Sequence, residues 1–401
     1  MSNLPAHPRT RGNSAVPGGV PNRRLRGFPW SRHTALWLAL LLVVNLAVAS
    51  LAEPPTSGKS AAKSPQVTAE QELSPDLALY SAVIEAVRRG EPYHVAAARE
   101  LPKNGFESFS PFNWRLPTYA WVAGAFPNTE MVRWILVALA LVSGGSVVRQ
   151  AARADGPVAA IVTGWGLVGV LGWLFDGAAH LTQEVWCAVG LTGALALRRA
   201  GRPLSASGVE LACLFVRELV LPWIGVGLIV AAWRRRWTEL GLLTAGLAAW
   251  CAFFAWHLAR IREFSPPDQT ITSGIGAWLA YGGIPFVLQT VRMNALLSSV
   301  PGWVAGLFDA ACLAGLVLGL RGGPRPSNLV DPNREREFFV RLLVIAAGYQ
   351  LAFLVVGRPW HLYWGFLYAP ILPLGAGRLA ATLAARLHPD GSPVVRSTPE
   401  P

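Results

Sequence analysis

Asp76 is the residue of this chain best placed for acid–base chemistry. It follows Ser74 and Pro75 at the head of SPDLALYSAVIEAVRRG. There Ser74 suits an N-cap, Pro75 the first helical position and Gly90 the stop. A carboxylate at that point can take the proton of a sugar hydroxyl as its oxygen attacks an activated carbon. It can also be one ligand of a divalent metal ion, or simply an acid that offsets the positive end of the helix dipole. Asp176, His180 and Glu184 recur at i, i+4 and i+8, so a helix running through them would carry all three on one face. That set reads as the polar wall of a cavity, able to take a divalent ion or hydroxyls, or as a boundary that meets water.

Basic and aromatic residues supply the complementary chemistry. Arg217-Glu218 lies between two short apolar halves. An arginine at that depth needs a partner: either the adjacent acid in a structural ion pair, or a lipid phosphate in a guanidinium fork. Arg115, Arg292 and Arg358 are further candidates for phosphate contacts, with snorkelling to the interface as the plain alternative. His257 and His361 are assigned to one cavity. Tyr363, with Trp360 and Trp364, reads as an aromatic belt whose ring faces can also stack on sugar.

The elements that must position these residues follow from a rhythm of long apolar stretches and short Arg-bearing loops. Residues 1–33 form a basic, disordered cytoplasmic tail leading into a first span at 34–52. Ala47-Val48-Ala49 leaves open whether that span is retained or cleaved as a signal peptide. Residues 53–128 make a first outer loop with two helices, the second being HVAAAREL ending at Asn104-Gly105, and an aromatic stretch FESFSPFNWRLPTYAWVAGAF suited to the headgroup region. Spans follow at 129–147, 157–178, 185–197, 206–216 with 219–233, and 238–258. A second outer loop at 262–301 carries an apolar helix, then come spans at 302–320, 338–357 and 363–383, and residues 386–401 form a second cytoplasmic tail. The expectation is an all-α polytopic membrane protein with roughly ten segments of about 20 residues or fewer. Arginine-rich loops put both termini in the cytoplasm, and the unusual charged residues gather at the outer face.

Composition agrees. Charged residues are 14% and apolar residues 52%, with 17 Trp, 40 Gly and 31 Pro, where a soluble domain carries about 25% charge. The net charge of +12 sits in clusters between apolar spans, which reads as topology and gives no nucleic-acid surface. Cys187, Cys213, Cys251 and Cys312 all lie in apolar stretches, without metal-ligand spacing. No P-loop, no GxGxxG before a helix, no HExxH and no internal repeat is present.

The run DLALYSAVIEAVRRGEPYHVAAARE followed by FNWRLPTYAWVAGAFP resembles the first periplasmic loop of bacterial GT-C-fold membrane glycosyltransferases, in the dolichyl-phosphate-mannose-mannosyltransferase-like group. HLTQEVWCAVG, FVRELVLPW and RPWHLYWGFLYAPIL are similar in style, so the resemblance spans the layout of residues 34–385. It implies an inner-membrane transferase that moves a hexose or pentose from a polyprenyl-phosphate carrier to an extracytoplasmic acceptor. Asp76 then stands as catalytic base or metal-site acid, with a divalent ion as the implied cofactor. Asp76 lacks the adjacent second acid of a paired-acid metal site. A transporter or lipid flippase, and a non-catalytic scaffold of the same fold, are the rival readings; sugar, acceptor, metal dependence and oligomeric state are not written in the sequence.

Overall fold

The computed structural model describes residues 74–108, 110–111, 113–175, 178–264, 281–321 and 331–387. The expected first span, Asp176, residues 265–280 of the second loop, the first tail and residues 388–401 of the second lie outside them. All regular secondary structure among the described residues is helical. In chain order they form α1 (Pro75–Arg88), α2 (Tyr93–Lys103), α3 (Pro117–Gly124), α4 (Thr129–Asp155), α5 (Pro157–Leu171), α6 (Gln183–Arg199), α7 (Pro203–Val216), α8 (Leu221–Trp233), α9 (Trp237–Phe264), α10 (Gly283–Val291), α11 (Gly302–Gly319), α12 (Pro332–Val355) and α13 (Leu372–Leu387).

Local chemistry sets the boundaries. The Asn128 side chain accepts from the Met131 amide at 2.7 Å to start α4, and Asp331 does the same for Asn333 at 2.9 Å to start α12. Gly156, at φ +94°, turns α4 into α5, whose first residue is Pro157. Gly90 ends α1 at positive φ as its sequence position requires.

Helices α4, α9, α11 and α12 and the segment Pro157–Phe175 are long and apolar enough to cross a membrane; a sixth forms if His361–Leu367 and Ala369–Leu387, bent by 42°, are one span. Leu141, Ile161, Trp165 and Ile229 are each about two-thirds exposed. Side chains of that kind face lipid, where every backbone group must be satisfied within a helix. The shorter α6 is enclosed, with Cys187, Leu191, Thr192 and Ala194 fully buried. Helix α13 is wedged between α11 and α5. A Cβ on Gly375 would fall 2.1 Å from the Cys312 carbonyl oxygen, so glycine is what allows these two backbones to touch.

The expectation that deep charges gather at one face is corrected. A second collection occupies the opposite end of the bundle. Arg199 donates to Glu335 at 2.9 Å and to Asp155 at 2.5 Å, and Arg378 closes on Asp155 from α13. Arg198 bonds Glu210 at 2.6 Å and Glu239 at 2.9 Å, and Arg236 grips Glu337 through two bonds of 2.7 Å. The partners lie between 12 and 223 residues apart in the chain, so no local pattern announces them. Replacing one member leaves the others charged and dry, the costly case for a buried pair. Arg199→Met is therefore expected to destabilise the bundle by about 3–5 kcal/mol, read as lost cooperative thermal unfolding in detergent. An unchanged midpoint would mean the acids are solvated there.

Candidate active site

At the other end, α1, α2 and α3 fold into a cap. Leu79, Tyr80, Val83, Ile84, Tyr93 and Leu101 form its interior together with Trp114, Tyr119 and Ala120. This core continues onto Leu181, Val185, Ile261 and Phe366 of the bundle. The aromatic stretch expected at the headgroups is thus divided: Trp114, Leu116 and Tyr119 are buried, while Trp121 and Val122 are exposed.

Arg115, on the segment between α2 and α3, is the centre of the arrangement. Its Nε donates to the Tyr80 hydroxyl at 2.7 Å and its Nη2 to the Tyr363 hydroxyl at 3.2 Å. The Tyr93 hydroxyl donates to the Arg115 carbonyl oxygen at 2.5 Å and fixes the backbone beneath it. Among the described residues no carboxylate pairs with the Arg115 guanidinium. Each tyrosine oxygen accepts from the arginine, so each keeps its own proton to donate elsewhere. Burial pushes the Tyr80 phenol up against the opposing pull of Arg115, so that proton stays on at any physiological pH.

Asp76 lies four residues before Tyr80 on α1, one turn away on the same face. Its charge acts on Tyr80 and on Tyr363. The carboxylate is partly exposed and has no hydrogen bond or ion pair to another described residue. His361, stacked on Trp364 with ring centres 4.2 Å apart, feels the charges of Arg115, Arg217 and Arg358. Eight of the expected site residues thus converge here: Asp76, Arg115, Glu184, Arg217, Glu218, Arg358, His361 and Tyr363. Tyr80 joins them, although its spacing reads as part of an apolar stripe. The signal was its position one turn after Asp76 in a chain with only 7 tyrosines.

Other expectations are redistributed. Arg217 donates to Glu184 at 2.6 Å and pairs with Glu218 at 2.8 Å. These two acids balance its charge, so it braces the break between α7 and α8 as the ion-pair reading expects. His180 and Glu184 share no helix face, and Asp176 lies outside the described residues. His180 lies in a short 3-10 turn at Ala179–Leu181, and Glu184 in the first turn of α6. Arg292 spends its donors on Gln289, Leu297 and Ser298, closing the turn after α10. Among the described residues, no three His, Cys, Asp or Glu side chains are grouped to hold a metal ion.

His257 belongs to a different contact. Its Nδ1 lies 3.0 Å from His94 Nε2, joining α9 to α2. One ring must donate and the other accept, so the contact fails when both are protonated. Burial, reinforced by Arg260 and opposed by Glu263, holds His94 down at about 4, against about 6.5 in an unfolded chain. Between those values the unfolded chain binds the extra proton. The contribution of His94 to cap stability is therefore fully present above about pH 6.5 and is lost as the pH falls towards 4. Proteolytic nicking of α1–α3 should rise over that window, and His94→Gln should flatten the rise. An equally steep profile in that variant would place the titration elsewhere.

The cavity beside Tyr80, Tyr93, Arg115 and Gln183 holds about 20 Å³, room for about one water. Asp76, Arg115, Glu218, Arg358 and Tyr363 are only partly buried, so the site opens outward at the cap margin. A far larger cavity, about 1140 Å³, runs between α4, α6 and α7.

Fold and site together define a class: a helical polytopic membrane protein whose juxtamembrane cap holds, at one end of the bundle, an arginine bonded to two phenols and a carboxylate one helical turn from one of them. Among solved structures, the chain is similar to ArnT from Cupriavidus metallidurans bound to undecaprenyl phosphate, at 17% identity and a TM-score of 0.48, over 89% of this chain and 61% of that one. It is likewise similar to the apo state of the same protein, at 18% identity and a TM-score of 0.47, over 89% and 60%. The chain thus spans about three-fifths of the length of those proteins. No protein-family model and no curated protein matches it.

Proposed function

We propose that the protein is a GT-C-type membrane glycosyltransferase that moves a sugar from a polyprenyl-phosphate donor to an acceptor outside the cytoplasm. One observation carries the reading. Arg115, held by two tyrosine hydroxyls and in no direct ion pair with a described carboxylate, shares Tyr80 and Tyr363 with Asp76, whose charge acts on both phenols, while Glu184 and Glu218 act on the arginine from a distance. A cation with two poised O–H donors suits a phosphate monoester that gains charge as the sugar–phosphate bond breaks. A carboxylate across from it suits removal of the acceptor hydroxyl proton.

In this mechanism the acceptor oxygen attacks the anomeric carbon and forms the new glycosidic bond. The bond between that carbon and the phosphate oxygen breaks, and the electron pair leaves with polyprenyl phosphate. Asp76 receives the proton. Arg115, Tyr80 and Tyr363 bind the departing phosphate, and Arg358 adds positive potential. No step is routed through a metal ion. The donor cannot leave the bilayer, which accounts for a site at the junction of cap and spans. By the positive-inside rule the opposite, arginine-rich end faces the cytoplasm, in a bacterial inner membrane.

The test is release of polyprenyl phosphate by the full-length protein in proteoliposomes supplied with polyprenyl-phosphate hexoses and pentoses. Carrier release that depends on Asp76 supports the proposal. Movement of an intact lipid-linked sugar between leaflets, with no carrier released, would assign the protein to the flippases. Neither activity with any donor would favour a scaffold.

A further inference from the structure

The 1140 Å³ cavity lies on the flank of the bundle, separate from the cap. Its floor is α6, where Gly190, Gly193 and Ala196 recur every third residue and leave a trough of small side chains. Its rims are exposed positions of the neighbouring helices: Leu139 and Val142 on α4, and Ala212 on α7. The trough runs from Trp186 to Arg199, 13 residues of helix or about 20 Å. It therefore opens sideways to the hydrocarbon and reaches deeper than the ~15 Å of one leaflet.

Its polar end is basic. Arg149 and Arg153 stand one turn apart on α4, Arg202 opens α7, and Arg334 lies at the start of α12. All four are exposed, and no described carboxylate pairs with any of them. Arg199, at the same end, is already committed to Asp155 and Glu335. Four guanidinium groups converging from three helices at the mouth of an apolar trough call for an occupant with an anionic head and an apolar tail. The chain's own N-terminal segment does not meet that requirement, because it brings Arg23, Arg24, Arg26 and Arg32.

We infer that this trough is a binding site for an anionic glycerophospholipid, with its phosphate among Arg149, Arg153, Arg202 and Arg334 and an acyl chain along α6. The site is independent of the proposed glycosyl transfer. Its phosphate-binding end lies at the far end of α6 from Glu184, about 22 Å away along the helix.

The experiment is native mass spectrometry of the full-length protein after reconstitution in mixed phosphatidylglycerol and phosphatidylethanolamine. Wild type should retain phosphatidylglycerol at least tenfold over phosphatidylethanolamine. R149Q/R153Q/R202Q/R334Q should lose that preference with its lipid-free thermal midpoint unchanged, since all four side chains are on the surface. Ala212→Trp, which fills the trough from an exposed rim, should lose the bound lipid altogether. Equal phosphatidylglycerol retention by the quadruple variant would overturn the inference, and so would displacement of the lipid by inorganic phosphate alone. Disulfide formation between Ala212→Cys and a cysteine placed in residues 34–52 would also overturn it, by showing that the chain fills its own groove.

Discussion

Asp76→Asn is expected to lower sugar transfer by about 10²–10⁴-fold, the range for loss of a general base, while donor binding stays within a few-fold of wild type. The substitution is nearly isosteric. The carboxylate has no described partner to lose, so the fold should tolerate the change. If Asp76 served only the helix dipole, neutralising it would cost about 0.3–1 kcal/mol of local stability and no activity. The two outcomes separate in one preparation: carrier release measured at saturating donor, and the thermal midpoint measured beside it. A folded variant with full activity would remove the central claim.

Arg115→Gln is the second large effect. Removing a donor aimed at developing charge costs about 10²–10³ in kcat, and the loss should fall on kcat more than on KM because the phosphate gains charge as the bond breaks. Arg115→Lys should restore only part of the rate, since an ammonium cannot present a planar fork to two tyrosine oxygens and a phosphate together. The architectural alternative is that Arg115 merely ties the cap to Tyr363. Tyr363→Phe removes that tie and keeps the charge. Because the Tyr363 hydroxyl is also a proposed phosphate donor, cap integrity decides: if Arg115→Gln loses rate only together with the protease resistance of the cap, the tie is what matters and the phosphate role fails.

Much of this framework was legible in the chain. The helices from Thr129 onward, the break at Arg217-Glu218, and the start and stop of α1 all follow from signals a few residues wide: apolar runs, a proline at a helix start, a glycine at its end; of the roughly ten expected segments, five described helices, six with the bent pair, are long and apolar enough to cross. Asp76, Arg115, Arg358, His361 and Tyr363 stood out because charge or polarity near an apolar run is costly and therefore conspicuous.

Partnership was not legible. Sequence marked Arg217 and Arg115 alike as arginines needing an anion. Only packing distinguished them, by bringing Glu184 against Arg217 from 33 residues away and leaving Arg115 with two neutral phenols. His257 could not be matched to His94 across 163 residues, and the network of Asp155, Arg199, Glu335 and Arg378 was invisible for the same reason. Hydrophobic period and capping act within a turn or two of helix, so the sequence by itself determined which segments are helices and where they end. Ion pairing and hydrogen bonding act over about 3 Å between groups that the chain holds far apart, so only the tertiary structure decided which charges are neutralised and which remain free to meet a ligand.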